Sequence, residues 1–248
     1  MSLHLAMMAR IAHGRMRNLP VATLDAVAPG TALVLAPHAD DESLGCGGLI
    51  AMASARGRPP IIVCVTDGTG SHRSSPTYPA ARLRQVREAE LRAAAAILGV
   101  ASERVRFLGL PDAGAPLEGP EFEDAAQRVA RLVRVHAIET LFATWSHDPH
   151  CDHEATARLG EAVAAVTGAR LRFYPVWSWL VAAGQALPLA TIVGMRLDIR
   201  SVLARKRAAI ACHASQHSDL ISDDPRGFRL PASLLAVCDQ DFETFIDP

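Results

Sequence analysis

Short apolar runs alternate with longer amphipathic segments along the chain from Thr31 onward. The apolar runs predict strands near residues 31–36, 61–66, 104–108, 139–144, 170–174 and 190–198. The longer segments predict helices over Ser43–Arg56, Ala80–Leu98, Phe122–His136, His153–Thr167 and Ser201–His213. This alternation is typical of a mostly parallel sheet covered by helices on both faces. We therefore predict an α/β fold, a single-domain Rossmann-like three-layer sandwich.

Three polar segments interrupt this pattern. Asp67–Pro79 and Leu110–Pro120 are rich in Gly, Ser or Pro, so we predict loops after the strands that precede them. In an open α/β sheet, ligands bind beyond the carboxyl ends of the strands, where these loops lie. The third segment, Ser215–Arg226, either covers the same cleft or closes the surface elsewhere.

The composition favours one globular unit that acts on a small molecule. The chain has 248 residues, 50% of them hydrophobic, and a formal net charge of -1. We expect residues 1–248 to form one domain with residues 1–30 as an N-terminal extension, because α/β folds of this size often stay undivided. The near-neutral charge gives no basic face for nucleic acid, and no apolar run reaches the roughly 18 residues of a membrane span. The sequence does not indicate the oligomeric state.

Cysteine usage and the N-terminal stretch point to the cytoplasm. The five cysteines are odd in number, widely spaced and free of any Cys-x-x-Cys pair. Neither a disulfide framework nor a thiolate zinc cage is therefore indicated. Residues 1–20 contain several Arg and His residues and lack the continuous apolar segment of a secretory signal. We expect a cytoplasmic protein.

Two clusters of titratable side chains follow predicted strands. The first begins at His38, directly after the first predicted strand, and continues through three acidic residues to Glu42. The second runs from His147 to Glu154, after the fourth predicted strand. In doubly wound order these two strands lie side by side, at the point where the strand order reverses. We therefore expect the clusters to meet at a cation, since grouped carboxylates repel one another without one.

His38, Asp41 and His153 form a candidate set of three metal ligands. Two imidazoles and a carboxylate with an open fourth position are typical of a catalytic zinc site, and another divalent transition metal can take such ligands. Asp40 is the candidate general base, and His150 is the candidate donor to an oxyanion and to a leaving amine. The chemistry implied is hydrolysis of an acyl bond.

The two clusters resemble motifs of the LmbE-like, or PIG-L, family of zinc-dependent N-deacetylases. Family members carry His-Pro-Asp-Asp-Glu and His-x-Asp-His, and this chain has His38-Ala39-Asp40-Asp41-Glu42 and His150-Cys151-Asp152-His153. Ala39 replaces the usual proline of the first motif, and Cys151 lies where proline is frequent in the second. Neither difference removes a metal ligand. Further similar stretches are Leu44-Gly45-Cys46-Gly47-Gly48, Thr66-Asp67-Gly68, Arg87–Leu91 with Leu98-Gly99, and Lys206 with His213–Gln216. The resemblance covers residues 32–216, which is most of the chain.

The resemblance implies a zinc-dependent hydrolase that removes an N-acetyl or other N-acyl group from an amino sugar such as N-acetylglucosamine, or from its conjugate. The bond broken is a carbon–nitrogen bond other than a peptide bond, and water activated at the zinc ion attacks it. The implied ligands, base and oxyanion-stabilising histidine are the residues already named as candidates. By the same resemblance, Arg87 and Asp112 match family positions that contact sugar hydroxyls.

Several of these residues also have simpler interpretations. Arg87 could be an exposed helix residue paired with a neighbouring glutamate, and Asp112 could shape a turn. Asp148 could orient a metal ligand or lie in a solvated loop. His213 and Gln216 could close the site, or His213 could make a structural hydrogen bond.

Two other functions stay open from the sequence. Gly45, Gly47 and Gly48, with Asp67 about 20 residues later, are similar to a dinucleotide-binding fingerprint. That interpretation predicts a metal-free Rossmann-like protein that binds a nucleotide or a methyl donor. Against it, Ile50 occupies the sixth fingerprint position and acidic residues precede the glycines, so close helix packing explains them better. The other alternative is a zinc amidase that acts on a non-sugar amide.

Overall fold

The computed structural model describes residues 3–181 and 187–248, so residues 1 and 2 of the expected N-terminal extension lie outside the described residues. The strands are β1 (Val21–Ala22), β2 (Thr31–Ala36), β3 (Ile61–Thr66), β4 (Val105–Leu110), β5 (Ile138–Thr144), β6 (Arg170–Tyr174), β7 (Gly194–Asp198) and β8 (Phe242–Ile246). The α-helices are α1 (Leu3–Arg17), α2 (Leu24–Val27), α3 (Asp41–Ala55), α4 (Ala80–Ile97), α5 (Pro120–Val135), α6 (Cys151–Thr167), α7 (Leu203–Ala211), α8 (Ala214–His217) and α9 (Ala232–Cys238).

The strands form one mixed sheet in the order β1-β7-β8-β6-β5-β2-β3-β4. β8 runs antiparallel to both of its neighbours, β6 and β7, and the other neighbouring strands are parallel. All six strands and all five helices predicted from the sequence are present, with small shifts at their ends. The sequence pattern did not predict β1, β8, the 15-residue helix α1, or the short helices α2, α8 and α9.

Helices cover both faces of the sheet, which explains why the central strands β2 and β3 are nearly continuous apolar runs and are not apolar only at alternate positions. Along β2, Ala32 and Val34 belong to one buried apolar cluster, and Leu33 and Leu35 belong to the other. The first cluster includes residues of α3, α4 and α7, and the second includes residues of α5 and α6. The predicted α/β fold with a layer of helices on each face is therefore confirmed.

β2 and β5 are neighbours in the sheet, as doubly wound order predicts. Leu33 of β2 lies opposite Leu141 of β5, and the two strands run parallel. On its other side β2 pairs with β3, where Leu33 lies opposite Ile61. Because parallel strands end at the same edge, the chain leaves β2, β3 and β5 on one side of the sheet. The first and fourth predicted strands thus bring their following residues together.

The first half of α3 packs closely against neighbouring elements. A Cβ added at Gly45 would lie 2.2 Å from Cδ2 of Tyr174, and one added at Gly48 would lie 2.4 Å from Cγ2 of Ile199. Approach this close leaves no room for any side chain, so glycine is required at both positions. Close helix packing accounts for both glycines, as the sequence analysis favoured.

The cysteines are dispersed through the fold. All five are free thiols, and Cys151 at the start of α6 is exposed. None of the helices within residues 3–181 and 187–248 combines the length and the apolar character needed to cross a bilayer.

Candidate active site

The first acidic cluster lies in the tight turn between β2 and α3. The backbone N–H of His38 donates to Oδ2 of Asp41 at 3.0 Å, and Nδ1 of His38 lies 3.0 Å from the same oxygen. Asp41 is the first residue of α3, where the partial positive charge of the helix N-terminus favours a carboxylate. Burial alone would raise the pKa of Asp41, but His153 and His38 outweigh it and hold that pKa well below its usual value.

The second cluster lies in the loop after β5 and the first turn of α6. His153 is completely buried, and its Nε2 lies 3.4 Å from Oδ2 of Asp41. Its Nδ1 donates to Oδ2 of Asp148 at 2.9 Å. Burial lowers the pKa of His153, but the Asp41 and Asp148 carboxylates raise it to about 9. A cation bound beside Asp41 would take the place of the proton on Nε2.

The three predicted ligands fit a divalent cation. One ligand atom from each of His38, Asp41 and His153 lies within 4.8 Å of the others. Nε2 of His153 is buried and has no hydrogen-bond partner among the described residues, which is rare for a buried polar nitrogen. Two imidazole nitrogens and one carboxylate oxygen are the donors that zinc prefers. The site can hold zinc or a similar divalent ion.

Asp148 supports one of the two histidines. Its carboxylate is fully buried and accepts hydrogen bonds from the backbone N–H groups of Val176 at 2.9 Å, Trp177 at 3.1 Å and Ser178 at 2.8 Å. With His153 as a further donor, both carboxylate oxygens are occupied. The solvated-loop interpretation of Asp148 is therefore wrong, and the residue orients the His153 ring.

Asp152 supports the other histidine, and the sequence reasoning did not single it out. Its Oδ2 accepts from Nε2 of His38 at 3.0 Å and from the backbone N–H of Ala113 at 2.7 Å. Its Oδ1 accepts from the N–H of Ala115 at 3.0 Å. Burial raises the pKa of Asp152, but these hydrogen bonds, above all the one from His38, lower it strongly. The signal was present in the His-x-Asp-His motif, where Asp152 lies between the two histidines.

Asp40, the candidate base, lies buried beside Arg87. Nη2 of Arg87 is 3.5 Å from Oδ2 of Asp40 and donates to the carbonyl oxygen of Ala39 at 3.3 Å. Burial raises the pKa of Asp40 to about 6, and the charge of Arg87 opposes that rise. Arg87 is 3% exposed, so the interpretation as an exposed helix residue paired with a glutamate is wrong. Arg84 is the residue that pairs with Glu88, at 2.8 Å.

Asp112 reaches the same cavity from the loop after β4. Its Oδ2 accepts from the backbone N–H of Gly70 at 2.8 Å and lies 3.8 Å from Nη1 of Arg87. A Cβ added at Gly70 would lie 2.8 Å from Cγ of Asp112, so this contact between two loops requires glycine. Asp112 thus connects the predicted loops 67–79 and 110–120 as well as facing the cavity.

His150 is the N-cap of α6 and faces the cavity. Its Nδ1 accepts a hydrogen bond from the backbone N–H of Asp152 at 3.2 Å, so the proton of the neutral ring is on Nε2. Burial lowers the pKa of His150, and the nearby His38 and His153 lower it further. A neutral ring with a fixed Nε2–H is a donor for an oxygen that gains negative charge. His147, by contrast, is exposed and packs its ring against Trp145.

The cavity above these residues has a volume of about 150 Å³. Its lining includes candidate metal ligands, the candidate base, the candidate oxyanion donor and both candidate sugar-contacting residues. These are His38, Asp41, Asp40, His150, Arg87 and Asp112. His153, the third candidate ligand, lies buried beneath the cavity. The segment 215–226 contacts the loop 67–79, because Asp223 accepts hydrogen bonds from the hydroxyls of Ser75 at 2.6 Å and Thr77 at 2.7 Å. Gln216 lines the cavity.

His213 lies behind the metal-ligand turn and is fully buried. Its Nε2 donates to Oε1 of Glu42 at 3.1 Å, and Ser43 donates its hydroxyl to the same oxygen at 2.5 Å. The residue therefore makes a structural hydrogen bond to the last acidic residue of the first cluster.

Comparison with known proteins agrees with this geometry. A family model described as "PIG-L: GlcNAc-PI de-N-acetylase" matches residues 33–164, more than half of the chain. A probable N-acetyl-alpha-D-glucosaminyl L-malate deacetylase 2 of Bacillus subtilis is 28% identical over 195 residues, which are 77% of this chain and 85% of the relative.

Two solved structures share the fold. A conserved protein from Thermus thermophilus has a TM-score of 0.62 and 27% identity, over 88% of this chain and 94% of that protein. The N,N'-diacetylchitobiose deacetylase from Pyrococcus horikoshii has a TM-score of 0.67 and 20% identity, over 100% of this chain and 94% of that protein. Because the family model spans both clusters, the chain belongs to the PIG-L family of de-N-acetylases.

Proposed function

We propose that this protein is a divalent-metal-dependent hydrolase that removes an N-acetyl or other N-acyl group from an amino sugar or its conjugate. His38, Asp41 and His153 hold the cation, which is zinc or another divalent transition metal. The observation that carries the proposal is the buried Nε2 of His153, which faces Asp41 at 3.4 Å and has no hydrogen-bond partner in the described part of the chain.

The other residues of the cavity supply proton transfer and charge stabilisation. A bound divalent cation supplies positive charge that polarises an acyl carbonyl and favours the ionisation of water. Asp40 accepts the proton of the water molecule that attacks the carbonyl carbon. His150, as a neutral ring, donates a hydrogen bond from Nε2–H to the carbonyl oxygen as that oxygen becomes negative. The proton that Asp40 took from water passes to the amine nitrogen when the carbon–nitrogen bond breaks, which returns Asp40 to its carboxylate form. The products are a carboxylic acid and a free amine.

The polar wall of the cavity supports a sugar as the substrate. Arg87 and Asp112 together offer donors and acceptors to neighbouring hydroxyl groups of a pyranose ring. The Bacillus subtilis relative is named for a glucosaminyl malate, and the Pyrococcus horikoshii enzyme is named for diacetylchitobiose. An N-acylated amino sugar is the substrate class that these observations favour over a non-sugar amide.

Metal content and amine release test the proposal together. We expect about one zinc per chain after purification with zinc. We also expect release of glucosamine from N-acetylglucosamine, and of the matching glucosaminides from its glycosides, with acetate as the other product. His153→Ala should lose both the metal and the activity, whereas His147→Ala, which changes an exposed histidine of the same cluster, should keep both. A metal-free protein that is stabilised by a nucleotide or a methyl donor would contradict the proposal and support the nucleotide-binding alternative.

A further inference from the structure

Part of the cavity wall is apolar and makes no contribution to the chemistry described above. Trp177, Phe228 and Leu230 line the cavity together with the polar residues. The rings of Trp177 and Phe228 meet edge to face, with centroids 5.9 Å apart. Phe228 is 36% exposed. We name these three residues the apolar wall.

The apolar wall is held in place by backbone hydrogen bonds. The N–H of Phe228 donates to the carbonyl oxygen of Ser71 at 2.7 Å, and the N–H of Leu230 donates to that of Gln216 at 2.7 Å. These bonds tie the chain around residue 228 to the loop 67–79 on one side and to α8 on the other. Its position is therefore set before any ligand binds, which lowers the entropic cost of binding there.

Gly227 brings this segment close to the same loop. A Cβ at Gly227 would lie 2.3 Å from Cδ2 of His72, so any larger residue would push the segment away. Trp177 is fixed independently, because its backbone N–H donates to Asp148 at 3.1 Å. Asp148 also orients His153, so the apolar wall and the candidate metal centre share one support.

The charges around the cavity disfavour an anionic substituent. Among the described residues that line the cavity, Arg87 is the one with a permanent positive charge. Its guanidinium is paired with two carboxylates, Asp40 at 3.5 Å and Asp112 at 3.8 Å. Arg73 is a cation of the exposed rim, and it donates to the carbonyl oxygen of Asp112 at 3.3 Å. Arg226 is a second exposed cation near the apolar wall, and it donates to the hydroxyl of Ser74 at 3.2 Å. A dicarboxylate substituent would meet buried carboxylates and would have to recruit one of these rim arginines.

We propose that the apolar wall is a subsite for an uncharged apolar group of the substrate. This inference rests on the proposed function and narrows its substrate class to amino-sugar conjugates with an aromatic or long-chain group, in preference to carboxylated ones. The group is either the aglycone or the acyl chain, since both extend from a sugar ring bound at Arg87 and Asp112. Burial of a phenyl ring or a comparable chain should improve kcat/KM by about 10- to 100-fold.

Four substrates distinguish an apolar aglycone from an apolar acyl chain. The methyl and phenyl glycosides of N-acetylglucosamine test the aglycone, the N-octanoyl form of the methyl glycoside tests the acyl chain, and the malate glycoside tests an anionic aglycone. We expect the phenyl glycoside or the N-octanoyl substrate to exceed the methyl glycoside in kcat/KM by about tenfold or more. Phe228→Ala should reduce that ratio severalfold, and Leu220→Ala, a change at another exposed apolar residue of the same segment, should leave it unaltered. Equal kcat/KM values for all four substrates, or a preference for the malate glycoside, would overturn the inference.

A binding measurement separates this inference from the proposed function. Calorimetry with phenyl and methyl glucosaminides, performed on the His153→Ala protein, reports binding without catalysis. Tighter binding of the phenyl compound that Phe228→Ala removes would establish the subsite even if no deacetylation occurs. Equal affinities in a protein that does deacetylate methyl glycosides would overturn the subsite and leave the enzyme activity intact.

Discussion

Nε2 of His38 donates a hydrogen bond to Asp152 at 3.0 Å, although 114 positions separate the two residues in the sequence. The same carboxylate accepts backbone hydrogen bonds at Ala113 and Ala115, so it connects the first cluster, the second cluster and the loop after β4. Because Asp152 engages the far nitrogen of His38, Nδ1 is left to face Asp41 and a cation.

Asp152→Asn should therefore weaken metal binding without removing a ligand. We expect zinc affinity to fall by about 10- to 100-fold, since partners of ligating histidines typically contribute that much. Competition with a chromophoric chelator measures the affinity. Glu154→Gln is the matched control, because Glu154 is an exposed carboxylate two positions further along the same helix. Unchanged zinc affinity in the Asp152→Asn protein would show that His38 needs no such partner.

Arg87→Ala should reduce turnover of glycosides while the protein keeps its zinc. Arg87 lies within 4 Å of both Asp40 and Asp112, so its removal leaves two buried carboxylates without their cation and alters the sugar-facing wall. Loss of charge-assisted hydrogen bonds at one site corresponds to about a 10- to 100-fold fall in kcat/KM.

The control for this change is Arg84→Ala, on the same helix. Arg84 is largely exposed and paired with Glu88, and such surface pairs contribute little. We expect its kcat/KM and zinc content to match the unaltered protein. If Arg87→Ala left turnover unchanged, Arg87 would have no role toward substrate.

The strands and the meeting of the two clusters were predictable because their signals are local. β2 and β3 are nearly continuous apolar runs, β5 has an apolar centre over residues 141–143, and the doubly wound order places β2 beside β5. β8 gives no such signal, because its buried Glu243 interrupts the apolar pattern. That carboxylate pairs with Nζ of Lys206 at 2.8 Å, a partner that only the folded chain brings near.

The burial of Arg87 was readable in principle from helix periodicity. Arg87 lies four residues after Leu83 and four before Leu91, and both leucines are fully buried. Residues spaced by four share one face of a helix, so Arg87 belongs to the buried face and Arg84 does not. The role of Asp152 was harder to predict, because its partners come from two distant segments, the turn at His38 and the loop at Ala113 and Ala115. The His-x-Asp-His motif shows that Asp152 is present, but only the folded chain shows that Nε2 of His38 faces its carboxylate.

Cys151→Pro should stabilise the protein modestly. Cys151 is the first residue of α6, a position where proline is favoured because the N–H has no partner within the helix. His150 before it has φ -147° and ψ 131°, which is the extended region that a following proline requires.

The gain should be about 0.4–1 kcal/mol in the free energy of unfolding, through a less flexible unfolded chain. Urea denaturation measures it, and Cys151→Ala separates the loss of the thiol from the effect of the ring. A destabilised Cys151→Pro protein would mean that the start of α6 needs the freedom that proline removes.

His213→Ala should destabilise the fold by about 3–5 kcal/mol, because it leaves the buried Glu42 carboxylate without its cationic partner. Oε2 of Glu42 already has no hydrogen-bond partner within the described ranges, so the hydroxyl of Ser43 would be the one side-chain donor left to this carboxylate. His213→Gln keeps a donor and should recover part of the loss. His217→Ala, at a less buried histidine four residues away, should change the free energy of unfolding by less than about 0.5 kcal/mol. Equal stabilities of His213→Ala and His217→Ala in urea would refute the role of the pair.

The contribution of His213 should also depend on pH. Burial lowers its pKa, but the facing carboxylates of Glu42, Asp40 and Glu90 outweigh burial and raise it above the usual 6.5. A raised pKa means that the folded state holds the proton more tightly than the unfolded chain, so the stabilisation is complete below pH 6.5 and disappears as the pH rises through the folded value. The difference in free energy of unfolding between the unaltered protein and His213→Gln should therefore be larger at about pH 6 than at about pH 9. Urea unfolding at both values measures it, with the same metal loading throughout. A difference that grows toward high pH would show that His213 is neutral in the folded protein, and that Glu42 is held by an uncharged hydrogen bond.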